Sequence, residues 1–123
     1  MILIDTSSWV EAMRPKGNPA VKARVTQILE DGEAAWCDVV RAELWMGAHY
    51  GHEQKLIRLF EKDVVGLPIN RAVWDETIRL SMRTRSAGLT LPVTDLIIFA
   101  CAQINQVPLE HSDEHFERLR KLK

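Results

Sequence analysis

Asp5, Glu43, Asp95 and Asp113 are acids at places where burial alone gives no reason for an acid. Asp5 ends the apolar run Ile2-Leu3-Ile4, where a buried strand leaves a core. Glu43 shares a helical face with Val39, Met46 and Tyr50, a stripe otherwise apolar or aromatic. Asp95 stands in the first turn of the most hydrophobic helical pattern in the chain, and Asp113 follows shortly after VPLE at 107–110. Each also has a structural explanation. Asp95 suits a helix N-terminus through the macrodipole, Asp113 an N-cap, Asp5 a turn, and Glu43 the rim of its face. Together they point further. Carboxylates gathered at one edge repel, and some take up protons unless a cation joins them. Mg²⁺ or Mn²⁺ suits such an oxygen-rich set. An ion held there can bind a phosphodiester oxygen, lower the pKa of a water and aim it in line with the leaving group. Metal-assisted phosphodiester hydrolysis is the reaction class that this constellation supports.

The elements that must position these acids follow from periodicity. Ile2 to Ile4 is too short and aliphatic for a helix and reads as a buried strand. Ser8-Trp9-Val10-Glu11 matches the S-x-x-E capping box, so a helix starts close to Asp5. Asn18-Pro19 opens a second helix with Val21, Val25, Ile28 and Leu29 on one face, closed by Gly32. AAWC at 34–37 reads as a strand and Asp38 as the cap of the helix after it. A helix over 53–62 places Leu56, Leu59 and Phe60 on one stripe, and VVGLPI at 64–69 is extended. Asn70 caps a long helix with Trp74, Ile78 and Met82 at helical spacing, ended by Gly88; Thr94 caps LIIFACAQI. VPLE is a last strand, followed by a short helix carrying Phe116, Leu119 and Leu122. Strands alternating with helices give an α/β fold with a mainly parallel sheet. Ligands of such sheets bind beyond the carboxyl ends of the strands, where Asp5 and Asp113 fall.

With 123 residues, the chain is read as one domain over 1–123. Sixteen basic residues against 17 acidic ones give a formal net charge of −1, which announces no nucleic-acid partner, although acids gathered round a metal leave the rest mildly basic. The opening residues lack a basic n-region, and no apolar run reaches the roughly 20 residues of a membrane span. Cys37 and Cys101, far apart and without CxxC spacing, read as buried thiols of a cytoplasmic protein.

IDTSS at 4–8, AELWMGA at 42–48, GLTLPVTDLIIFACA at 88–102 and PLEHSDEHF at 108–116 resemble, in order, the four acidic motifs of PIN-domain ribonucleases. Size and spacing are most similar to VapC-type toxins of type II toxin–antitoxin systems, from Met1 to about Leu119. The resemblance implies a three-layer α/β sandwich and an endoribonuclease acting on tRNA, rRNA or mRNA. It makes Asp5, Glu43, Asp95 and Asp113 the Mg²⁺- or Mn²⁺-binding catalytic acids, with Thr6 positioning the first acid or a metal water. It also implies a homodimer and a small antitoxin that blocks the cleft. One departure stands out. Many relatives carry D-x-D-F in the last motif, whereas this chain has Asp113-Glu114-His115-Phe116.

HSDEH at 111–115 differs from H-E-x-x-H at the residue after His111, which is Ser112 rather than the glutamate a zinc protease needs. A phosphatase that forms an aspartyl-phosphate wants a second acid where Ser7 stands. A DNA or flap-structure nuclease, or a catalytically silent RNA- or protein-binding module on the same fold, are the alternatives to the ribonuclease. Arg14 and Lys16, in the loop after the helix beside Asp5, are the first candidates for holding substrate phosphates. Trp36 and Trp74 are expected in the core. Trp45, about 200° round its helix from Glu43, faces away from the acids, toward either a partner or a neighbouring helix.

Overall fold

The computed structural model describes residues 1–122. In chain order its elements are β1 (Ile2–Ile4), α1 (Thr6–Met13), α2 (Pro19–Glu30), β2 (Ala34–Trp36), α3 (Asp38–Gly47), α4 (Gly51–Asp63), β3 (Val65–Gly66), α5 (Arg71–Ser86), α6 (Val93–Ile104), β4 (Leu109–Glu110) and α7 (Glu114–Lys121). The strands pair in the order β3-β2-β1-β4, every pair parallel, with Leu3 opposite both Ala35 and Leu109. This is the α/β architecture expected, a parallel sheet flanked by helices. Parallel sheets are covered on both faces, which explains why β1, with neighbours on either side, is purely aliphatic. Leu3 and Ile4 are fully buried.

The strand order sets up the site. The chain leaves β1 toward β2 and β3, then returns across the sheet to lay β4 on the other side of β1. Order therefore reverses between β1 and β4, and the crevice at such a switch point is where open α/β sheets bind ligands. Trp9 closes the core beneath it. Its ring is fully buried, its Nε1 donates to the Ile4 carbonyl at 3.0 Å, and it packs on Trp36 and Phe60.

Asn18 and Asn70 cap α2 and α5 as expected, accepting from backbone amides. Other starts differ. Asp5, not Ser8, caps α1; Ser8 lies in the first turn, fully buried. α3 is capped one residue and α6 two residues ahead of expectation, at Cys37 and Pro92, with no side-chain cap, so Asp38 and Thr94 fall inside the first turn. Of VVGLPI only Val65 and Gly66 form strand; the Leu67 N–H still donates to the Trp36 carbonyl at 2.8 Å, and pairing stops at Pro68, which has no N–H to give.

Three expected faces are corrected. α4 buries Ile57 instead of Leu59, which is exposed. α3 buries Val40 and Leu44, and it ends at Gly47; Met46 and Tyr50 are exposed, so Glu43 lies half-buried beside the core stripe rather than on it. In α5 two stripes have helical spacing, and the polar one faces the core: Val73, Thr77, Leu80 and Thr84 are buried, while Trp74, Ile78 and Met82 are exposed. The threonines tolerate burial because their hydroxyls donate to carbonyls of their own helix, Thr77 to Val73 at 2.8 Å and Thr84 to Ser81 at 3.0 Å. Trp36 is core as expected; Trp74 is not. Trp45 packs on α4, where Nε1 donates to Glu61 and Arg58 covers the ring. Among the described residues no helix is long and apolar enough to cross a membrane.

Candidate active site

β1 stays paired to β4 through its last bond, Asp5 N–H to the Glu110 carbonyl at 2.9 Å, and the Asp5 side chain emerges just there. Its Oδ2 accepts from the Ser7 backbone at 2.9 Å and the Ser7 hydroxyl at 2.6 Å. Only 4% exposed, the carboxyl is pushed above its usual range by burial; the Asp95 charge adds to this and the Ser7 bonds oppose it.

The other acids arrive from remote stretches. A helix that returns antiparallel to the strands begins at their carboxyl edge, which brings the first turn of α6 toward Asp5, while Glu43 stands a turn further along α3. Glu43 reaches Asp5 through Thr6, whose hydroxyl donates to Oε1 at 2.7 Å. Asp95, in the first turn of α6, lies near enough for its charge to act on Asp5. Asp113 caps α7, its Oδ1 accepting from the His115 backbone at 2.9 Å. Between Asp95 and Asp113 stands His115, with Nδ1 2.7 Å from Asp95 Oδ2 and 3.4 Å from Asp113 Oδ1. Asp95, Asp113 and His115 each offer one donor atom, all within 4.8 Å of one another.

The donor set fits a divalent cation. Elsewhere carboxylates of Glu11, Glu61, Glu76, Glu110 and Glu117 pair with arginines, yet among the described residues no lysine or arginine pairs with Asp5, Glu43, Asp95 or Asp113. Acids so close and without a lysine or arginine partner leave a cation of several oxygen ligands to balance them.

Beside Glu43 lies a groove of about 450 Å³ whose walls include Val10, Met13, Arg14, Leu44 and Tyr50. Arg14 is on its wall as a phosphate-binding residue needs to be; its guanidinium is 3.6 Å from Glu11 and largely exposed. Lys16 is exposed in the same loop and does not line the groove.

A serine network, not foreseen from the sequence, ties the two sides of the crevice together. The Ser112 backbone donates to the Ser7 hydroxyl at 2.9 Å, and Ser8 donates to Glu110 at 2.9 Å and lies 3.1 Å from the Ser112 hydroxyl. Arg24 grips Glu110 from α2 at 2.8 Å. The turns bearing Asp5 and Asp113 are therefore fastened to each other. The only signal in the sequence was the excess of small hydroxyl residues beside both acids.

Comparison with protein families matches residues 2–122 to the PIN domain. The chain belongs to the PIN-domain family. Its PIN fold is shared with the Rickettsia felis complex VapBC2 bound to a DNA fragment from its promoter, with a TM-score of 0.79, 19% identity, and coverage of 96% of this chain and 92% of that one. Among relatives, Ribonuclease VapC21 of Mycobacterium tuberculosis is 26% identical over 104 residues, covering 82% of this chain and 75% of the relative. Ribonuclease VapC11 of the same organism is 27% identical over 125 residues, covering 99% and 93%. In this PIN domain Asp95, Asp113 and His115 form a cluster at the crevice between β1 and β4, with Asp5 near enough to feel the Asp95 charge and Glu43 tied to Thr6 beside Asp5.

Proposed function

We propose that this PIN domain is a Mg²⁺- or Mn²⁺-dependent endoribonuclease, the toxin of a type II toxin–antitoxin pair in the cytoplasm, acting as a homodimer held in check by a cognate antitoxin. One observation carries the reading: Asp95 and Asp113 share His115, Asp5 lies within reach of the Asp95 charge, Glu43 is tied to Thr6 beside Asp5, and no lysine or arginine among the described residues pairs with any of these acids. The ribonuclease names of the relatives and the toxin–antitoxin complexes among the structural neighbours support it.

The four carboxylates would hold the metal, which when bound would supply Lewis-acid activation of the phosphate and of the attacking water. The protein's own groups do the positioning. Ser7 fixes Asp5 through two hydrogen bonds, and Thr6 fixes Glu43 through one. Arg14, across the groove from Glu43, takes a neighbouring phosphate of the RNA as a charge-assisted contact. An antitoxin segment lying on Met13, Leu44 and Tyr50 covers the same groove and shuts the substrate out.

Purified protein incubated with tRNA, rRNA or mRNA should cleave it in Mg²⁺ or Mn²⁺ and stop in EDTA. Asp5→Asn, Glu43→Gln, Asp95→Asn and Asp113→Asn should each lower cleavage by about 100-fold or more while leaving the circular-dichroism spectrum unchanged. Undiminished cleavage in Asp5→Asn or Asp95→Asn removes the mechanism. Binding of RNA or antitoxin without cleavage points instead to a silent module, and faster digestion of DNA than RNA to a DNA nuclease.

A further inference from the structure

We propose that His115 is a nitrogen ligand of the metal in this crevice and that it turns the site away from Mg²⁺ toward Mn²⁺ and the later divalent transition ions. The inference rests on the metal-dependent reading above and adds a donor that the four acids do not include.

Its position is built, not incidental. The Asp113 carboxylate caps α7 by accepting the His115 backbone N–H, so ring and carboxylate spring from the same turn and move together. Nδ1 points between two carboxylates, 2.7 Å from Asp95 and 3.4 Å from Asp113, with the side chain about two-thirds covered. Metal–oxygen and metal–nitrogen bonds of about 2.0–2.2 Å put neighbouring ligand atoms about 3 Å apart and opposite ones just over 4 Å apart. The donor atoms of Asp95, Asp113 and His115, all within 4.8 Å of one another, match that span after small side-chain rotations. The 2.7 Å approach of Nδ1 to Asp95 Oδ2 marks the point at which a cation meets lone pairs of both groups.

The chemistry follows from donor type. Mg²⁺ demands oxygen ligands and gives up its waters reluctantly, whereas imidazole is a good ligand for the transition ions. A site of carboxylates plus one imidazole therefore discriminates against Mg²⁺ more than carboxylates alone.

Mn²⁺ alone, titrated into metal-free protein without nucleic acid, tests this by electron paramagnetic resonance. Pulsed spectra should show ¹⁴N coupling to the bound ion, converted to the ¹⁵N pattern when the protein is grown on ¹⁵N-histidine. His115→Asp should remove the coupling and lower the ratio of Mn²⁺ to Mg²⁺ affinity by about tenfold. The histidine labelling needs no variant, so it decides the question even if His115→Asp folds poorly. Mn²⁺ that binds, and is lost in Asp95→Asn, yet shows no histidine nitrogen overturns the proposal and leaves the metal-dependent nuclease standing. Mn²⁺ binding indifferent to Asp95→Asn overturns both.

Discussion

The Asp5 carboxylate caps α1 and faces the Asp95 charge from a position almost without solvent. Its folded pKa lies above the unfolded value, about 3.9, so the fold disfavours the ionised form. That cost is present in full above the folded pKa and disappears below the unfolded one. Asparagine caps a helix as well as aspartate does, so Asp5→Asn removes the charge and keeps the cap. In EDTA the variant should melt above the wild type at pH 7, with the gap closing as pH falls through the raised folded pKa and gone below about 4. A gap independent of pH would show that repulsion and burial are not its origin. Adding Mn²⁺ should reverse the order, since an ion at 100 times its dissociation constant stabilises the wild type by about 2.7 kcal/mol and the variant much less. The acids themselves were legible in the sequence because an acid closing an apolar run or opening an apolar helix stands out. His115 and Ser7 were not given their positions, because the partners of His115 include Asp95, 20 positions away, and Ser7 meets Ser112, 105 away. Local spacing holds no record of such pairings.

Helix ends divide into those written in the chain and those decided by packing. Asn18 before Pro19 and Asn70 before an apolar pattern announce themselves, because an amide cap acts within three residues. The inward face of α5 did not, because choosing between two stripes of equal spacing takes knowledge of α6. Two ends carry predictions. Gly17 is buried against α1, and a Cβ there would meet the Glu11 carbonyl oxygen at 1.8 Å, a backbone atom that cannot swing aside. Gly17→Ala should lose about 1–3 kcal/mol in urea unfolding and loosen the loop bearing Arg14. An unchanged midpoint would mean that the loop is free to lift from α1. Gln106 closes α6 at φ 55°, where the Val107 N–H returns to the Ala102 carbonyl at 3.0 Å. A left-handed residue with a side chain costs about 1–2 kcal/mol, partly offset by the greater freedom of glycine in the unfolded chain. Gln106→Gly should therefore gain about 0.5–1 kcal/mol in the same titration; a loss would place the stability of this turn in the glutamine side chain.

The stripe of Trp74, Ile78 and Met82 gives α5 an apolar outer face, with exposures of 45%, 56% and 55%. Large apolar groups in a contiguous exposed row mark an interaction surface more often than a solvated one. The spacing is symmetric: Trp74 and Met82 each lie four residues from Ile78, and exposed Arg71 and Arg85 each lie seven away on the same side of the helix. A two-fold axis through Ile78 would set α5 antiparallel to its copy, with Trp74 on Met82, Ile78 on Ile78, and Arg71 facing Arg85 at both rims. Apolar contact drives this pairing and like charges at the rim oppose it. Salt screens the rim and leaves the contact intact, so the dimer of the toxin proposed here should tighten as ionic strength rises. Ile78→Arg enters such an interface twice and should raise the dissociation constant by about 100-fold, at a minimum of about 1.4 kcal/mol per copy. Sedimentation equilibrium from low to high salt reads both effects. Association that weakens with salt, or that Ile78→Arg leaves unchanged, would assign the homodimer to another face of the molecule.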